Sequence, residues 1–255
     1  MDNVVYEIGA KIPVAKNLDN IIHSGVQVDE AFKLPMKKYF MDFEDKYVNN
    51  KIPDNVNILI IHERPKQVIN LNQFGLIISN YDMNKLDFKK LSINLLDYGI
   101  PINKEIVLYI KSDIDIELSK EKAKPLSFYI ENIADRDNHL IVRDWLFEKD
   151  MSGKFALISK LNKGNIHTLK GYIEDTDDIK IMQEDGKVRR LQPQELANIL
   201  GYSYREYRTI VTPYLKRSKI KTLNNQIILD MFLKTLPKKI VSSIISSYIN
   251  KKHQL

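Results

Sequence analysis

Three short runs rich in Val and Ile, at residues 4–8, 56–61 and 106–110, are each bounded by Asp, Asn, Pro or Gly and read as buried β-strands. Between the first two, Phe40, Phe43 and Tyr47 recur at helical spacing, which predicts a helix over 40–48. Residues 70–78 read as a second helical stretch. Strands separated by helical segments predict an α/β layer around a mainly parallel sheet. In 113–120 the apolar residues Ile114, Ile116 and Leu118 alternate with Asp113, Asp115 and Glu117. That period of two predicts a strand edge with a polar face, in preference to the carboxylate cluster of a metal-dependent nuclease.

From about residue 120 to 186 the chain becomes more polar and is punctuated by Gly153, Gly164 and Gly171, the texture of a second, smaller unit. A short helix follows over 191–201. Pro193 stands at its start, where a missing N–H costs nothing, and Gly201 at its end, where a left-handed residue closes it. Residues 225–236 and 237–249 then place Ile227, Ile228, Met231, Phe232 and Ile240, Ile244, Ile245, Tyr248 three and four apart. Both segments are expected to be helices with one face on the α/β layer.

With 44% hydrophobic and 28% charged residues, the 255-residue chain has enough apolar material for one or two cores. No apolar run approaches the roughly 18 residues that a membrane helix needs, and the amino terminus has no basic stretch followed by an apolar one, so an intracellular protein is expected. Cysteine is absent, which excludes disulfides and thiolate metal sites. The histidines (23, 62, 139, 167, 253) show no metal-ligand spacing, and no metal is expected. Of the net charge of +6, residues 205–255 carry +9, with eleven Lys or Arg against two acids, which leaves −3 for the first 204. A basic end on a near-neutral body suits a surface facing phosphates, although a solvated helical face gives the same count.

Four stretches carry a resemblance. The most specific is Asp97-Tyr98-Gly99-Ile100-Pro101 with Asn103-Lys104-Glu105 before the third strand. The second is Arg189-Arg190-Leu191-Gln192-Pro193-Gln194-Glu195-Leu196-Ala197 with Leu200-Gly201-Tyr202. Lys221-Thr222-Leu223-Asn224-Asn225-Gln226-Ile227 and the strand 57–64 ending in His62-Glu63-Arg64 complete the set. In their order along the chain they resemble the DNA cytosine-5 methyltransferases. There the corresponding segments read Asp-Tyr-Gly-Val-Pro-Gln-x-Arg-Glu-Arg, Arg-Arg-Leu-Thr-Pro-Arg-Glu-Cys-Ala-Arg-Leu-Gln-Gly-Phe, Lys-Gln-x-Gly-Asn-Ser-Val and a strand into Glu-Asn-Val.

The resemblance implies a truncated Rossmann-like methyltransferase large domain, residues 1–120 with 205–255, around an inserted small target-recognition-like domain, 121–204. It also implies losses. The family attacks a flipped cytosine with a cysteine thiolate, and this chain has none. The family opens with a strand and a Phe-x-Gly-x-Gly turn that meets the methionine of S-adenosylmethionine, and no such turn stands here. Aligning residues 3–9 with the strand before the family's Pro-Cys loop makes the chain begin after the cofactor-binding quarter. His62 then falls on the family's glutamate, with Glu63 one place late. Ile102, Lys104 and Ile106 hold the Gln-x-Arg-x-Arg positions, with Glu105 between the last two. Asn224 replaces a glycine and Asn225 keeps the family's asparagine.

These features imply a protein without methyltransferase activity or cofactor of its own, acting as a regulatory or structural subunit that binds an active methyltransferase chain and supports DNA binding. The family contains both split enzymes and an inactive animal regulatory paralogue. Lys187, Arg189, Arg190, Lys216, Arg217, Lys219 and Lys221 are the candidate phosphate contacts. The alternatives are a free-standing DNA-binding pseudoenzyme and one half of a split enzyme that gains S-adenosylmethionine only through its partner. The run Glu174-Asp175-Thr176-Asp177-Asp178 with Glu184-Asp185 opposes DNA contact nearby and reads as a solvated loop, a site for a basic protein, or a metal loop.

Overall fold

The computed structural model describes residues 2–10, 12–27, 52–65, 69–83, 86–130, 147–149, 155–157, 166–174, 176, 179–183, 188–215 and 221–254. Its centre is a six-stranded sheet built from β1 (Val4–Ile8), β2 (Ile22–Gln27), β3 (Ile58–Ile61), β4 (Leu76–Ser79), β5 (Lys89–Asn94) and β6 (Glu105–Ser112), in the spatial order β2-β1-β3-β4-β6-β5. The first four strands run parallel, and β6 is antiparallel to both of its neighbours.

Every residue of β1, β3 and β4 is buried. Strands covered on both faces have no need of an alternating pattern, so these segments read as near-continuous apolar runs. The period of two survives in which core each side chain joins. Val5, Ile58, Ile60, Leu76 and Ile78 belong to one cluster, and Val4, Tyr6, Leu59, Ile61 and Ile77 to the other.

The first cluster is completed by four helices, α1 (Pro193–Ile199), α2 (Tyr204–Leu215), α3 (Lys221–Leu233) and α4 (Lys238–Lys252). In α4 the buried Ile240, Val241, Ile244, Ile245, Tyr248 and Ile249 form a stripe at helical spacing. Its approach to the sheet is close enough that a Cβ on Gly75 would collide with the Tyr248 hydroxyl. A smaller sheet joins β9 (Ile166–Thr168), β10 (Lys180–Met182) and β11 (Val188–Arg190), and β7 (Phe147–Lys149) pairs with β8 (Phe155–Leu157). Ile173, Ile179, Ile181 and Leu191 share the first cluster with β1 and β3.

The expected strands and the helix at 193–199 are present, and the last two helices run Lys221–Leu233 and Lys238–Lys252. Residues 70–78 are not helical. Asn70 caps a single 3-10 turn, Leu71–Gln73, and the apolar run behind it becomes β4 because Leu76, Ile77 and Ile78 fill the gap between β3 and β6. Residues 113–120 join no sheet, yet Ile114, Ile116 and Leu118 pack against the core while Asp113, Asp115 and Glu117 stay exposed. Ile227 is 44% exposed, so α3 packs through Ile228, Met231 and Phe232. The expected helix at 40–48 lies outside the described residues. No helix among the described residues is long and apolar enough to cross a membrane.

Candidate functional site

An open parallel sheet offers a ligand site beyond the carboxyl ends of its strands, where the chain changes the side on which it adds them. That point lies between β1 and β3, since β2 is laid on one side of β1 and β3 on the other. Glu7 on β1, His23 on β2 and His62 just past β3 meet there. Val5 pairs with His23 and with Ile58, and Glu7 with Ile60, so the two-residue period sends all three side chains to the same face.

The Glu7 carboxylate is fully buried. It accepts the Nε2–H of His23 at 3.0 Å and of His62 at 2.9 Å, together with the backbone N–H of Val14 at 3.0 Å and of Ala15 at 2.9 Å. Burial alone would raise its pKa, but the hydrogen bonds and charges of the two histidines outweigh burial and bring it down to about 2. An ionised carboxylate can only accept, so each imidazole carries its hydrogen on Nε2 toward Glu7. The separations are hydrogen-bond lengths, with no room for an ion between the groups. Among the described residues no group of three His, Cys, Asp or Glu is arranged to hold a metal. His62 Nδ1 is buried without a hydrogen-bond partner among the described residues.

The turn after β1 closes over this cluster. Gly9 takes the left-handed backbone, φ +70°, and a Cβ there would stand 2.8 Å from that of Glu63. Within reach of the Glu7 charge is Tyr202, whose buried hydroxyl also has no hydrogen-bond partner among the described residues. Burial, followed by the nearby charges of Glu7 and Glu206, raises its pKa well above the ordinary tyrosine value.

The remaining candidates scatter. Glu63 flanks Gly9. Lys104 and Glu105 are exposed at the start of β6, where Ser92 donates to Glu105. Asn225 lies inside α3 and is half-buried, and Lys221 is the first residue of that helix. Arg190 is exposed, whereas Arg189 is completely buried and grips Glu195 of α1 through Nη1 at 2.9 Å and Nη2 at 2.6 Å. Arg189 therefore leaves the set of surface cations; the carboxylate that caps α1 draws it inward. Lys187, Lys216, Arg217 and Lys219 lie outside the described residues, as does most of the acidic run. Of that run, Glu174 accepts from Asn103 Nδ2 at 2.7 Å, and the neighbouring Lys180 is buried.

The Asp97-Tyr98-Gly99 segment is a 3-10 turn, Leu95–Asp97, closed by Gly99 at φ +76°. Lys239 of α4 donates to the Gly99 carbonyl at 3.3 Å and pairs with Glu121 at 2.8 Å, so the turn is a docking point for the last helix. Glu7 and His23 were not singled out by sequence reasoning. The available signal was a lone carboxylate in an otherwise apolar strand, a group that is buried only when it is paired.

The sequence matches no protein-family model and no curated protein. The fold does match solved structures. The Entamoeba histolytica methyltransferase EhMeth is similar at TM-score 0.62 and 13% identity, over 98% of this chain and 99% of that one. The S. pombe Dnmt2 methyltransferase is similar at TM-score 0.59 and 12% identity, over 98% and 99%. An E. coli prophage protein assigned as a DNA modification methyltransferase is similar at TM-score 0.59 and 8% identity, over 97% and 99%. Aligned spans that take in 99% of each neighbour give no support to the expectation of a missing opening quarter. At the level of the fold, this chain is a mixed α/β protein with the architecture of these methyltransferases.

Proposed function

We propose that this chain is a methyltransferase-fold protein without methyl-transfer activity, acting as a regulatory or structural subunit that binds an active DNA methyltransferase and helps it hold DNA. One observation carries the reading: the turn that follows β1 is closed by the chain's own side chains. In the family that the sequence resembles, the backbone of the turn after the opening strand meets the methionine of S-adenosylmethionine. Here the N–H groups of Val14 and Ala15 are taken by Glu7, Glu63 presses on Gly9, and Pro13 stands where small residues would be needed. These residues do not fit the cofactor.

The strand order favours a revised register for the resemblance. With β1 as the opening strand, β3 leads into His62-Glu63-Arg64-Pro65-Lys66, so that Lys66 stands for the cysteine of the Pro-Cys pair. β4 then leads into Ser79-Asn80-Tyr81 in place of Glu-Asn-Val, with the asparagine kept and the glutamate replaced by serine. Ser79 Oγ is occupied locally, donating to the Tyr81 carbonyl at 3.0 Å and accepting from the Tyr81 N–H at 3.0 Å. The segment before the last helix is Lys234-Thr235-Leu236-Pro237, since 221–227 lies within α3. In this register, nucleophile, acid and cofactor turn are each replaced while the scaffold stays complete, which favours regulation over reconstitution of a split enzyme.

Incubating the purified chain with labelled S-adenosylmethionine and duplex DNA is expected to give neither uptake of the cofactor nor transfer of the label. Methyl transfer by the isolated chain would overturn the proposal. Affinity purification from the native cells is expected to bring down a second chain with a Pro-Cys motif. A light-scattering monomer with no such partner and with salt-sensitive duplex binding would shift the reading to the free-standing DNA-binding protein.

A further inference from the structure

The connection from β1 to β2, residues 9–21, contains no helix among its described residues, although parallel neighbours are usually joined through one. Turns take the place of that helix. A groove of about 460 Å³ opens between residues 17–21 and α4, a volume in the range of small-molecule sites. Glu7, His23, His62 and Tyr202 are not among its described lining, so it is separate from the cluster at the carboxyl ends of the strands.

The lining sorts into three kinds of group. Leu18, Ile21, Ile245 and Ile249 give the groove an apolar floor. Lys238 is committed to Glu206, and Lys239 to Glu121 and the Gly99 carbonyl, so an anionic ligand would have to break those pairs to gain a cation. Asp19, Asn20, Ser242, Ser246 and Asn250 form no hydrogen bond or ion pair through their side chains among the described residues. Ser242, Ser246 and Asn250 stand four residues apart along α4, roughly 6 Å from one to the next, and Asp19 and Asn20 face them from the connecting segment.

Serine hydroxyls and asparagine amides each donate and accept, and the Asp19 carboxylate accepts. A ligand matched to this row must donate and accept at several points and carry C–H surface for the floor. The Asp19 carboxylate opposes a phosphate or carboxylate, and because it is exposed it holds a cation no better than a surface ion pair does. An uncharged carbon ring bearing many hydroxyls meets all of these conditions. We propose that this groove binds a neutral sugar, its hydroxyls held by Asp19, Ser242, Ser246 and Asn250 and one face of its ring laid on the apolar floor. Such a ring can be a free monosaccharide or one unit of a longer glycan. The inference does not rest on the partner reading above, because it concerns another surface of the isolated chain.

The test adds glucose, galactose, mannose, ribose and maltotriose to the whole chain, with glucose 6-phosphate and spermidine as charged probes, and reads binding by saturation-transfer NMR. Saturable binding of at least one neutral sugar is expected. Binding of a monosaccharide identifies a free-sugar site, and binding of maltotriose alone identifies a glycan site. Asp19→Ala, Ser246→Ala and Asn250→Ala are each expected to weaken binding about threefold to tenfold, the loss of one hydrogen bond. All three positions are exposed, so the thermal midpoints are expected to stay at the wild-type value. Ser246→Trp fills the groove and is expected to abolish binding. Failure of every neutral sugar to bind, tighter binding of glucose 6-phosphate or spermidine than of any neutral sugar, or binding that none of these variants weakens would overturn the proposal.

Discussion

Glu7 shows what a single charge costs and supplies inside a sheet. Four N–H groups converge on its two oxygens, two from the turn after β1 and two from histidines. Removing the carboxylate leaves all four buried without an acceptor, so Glu7→Ala is expected to destabilise the fold by about 3–5 kcal/mol, measured by urea unfolding. The pH dependence follows from the direction of its shift. The carboxylate is held below its ordinary 4.5, at about 2, so its contribution is fully present above pH 4.5 and is lost as the pH falls toward 2. The contribution is on the order of 3 kcal/mol. Stability followed by urea midpoint from pH 6 to 2.5 is expected to fall in this window in the wild type and to fall less in Glu7→Gln. Parallel curves for the two would show that Glu7 is not the group responsible.

Among the elements, α1 depends on an interaction that charge counting alone misassigns. Arg189 comes from β11 and closes on Glu195, whose second role is to accept the Gln192 N–H at the amino end of α1 at 2.9 Å. The pair ties the small sheet to the helical face of the core. Arg189→Ala is expected to cost about 3–5 kcal/mol by leaving a buried carboxylate without its cation, whereas the double change Arg189→Met with Glu195→Leu recovers most of that loss. Thermal melts of the three proteins check this, and an Arg189→Ala midpoint equal to wild type would refute it. The same pair shows where the sequence is legible. Buried strands and the capped helix could be read from local pattern, because Val and Ile runs, Pro193 and Gly201 act within a few residues. Whether an arginine faces phosphate or a carboxylate six residues on depends on the packing of α1, which no local pattern records. Glu7 is hidden for the same reason: His23 and His62 come beside it only when three strands align. Residues 70–78 failed differently, since Leu76, Ile77 and Ile78 satisfy helical spacing and a buried strand equally well, and the empty place between β3 and β6 decides.

At the scale of the whole molecule the charge is divided, with +9 in residues 205–255 against −3 elsewhere. The helical face of α4 spends part of that charge internally, since Lys238 pairs with Glu206, Lys239 with Glu121 and Lys251 with Glu117. Of the other cations in the segment, Lys216, Arg217, Lys219 and Lys221 stand closest together in the sequence. If DNA is held there, each phosphate neutralised releases counterions and steepens the salt dependence by about 0.9 in the logarithmic slope. Replacing all four by glutamine is then expected to weaken duplex binding and to flatten that slope by up to about 3.6, as read from anisotropy titrations between 50 and 200 mM salt. Arg189 is internal, so a folded variant at that position should bind duplex as wild type does. An unchanged slope in the fourfold variant would remove DNA contact from this segment.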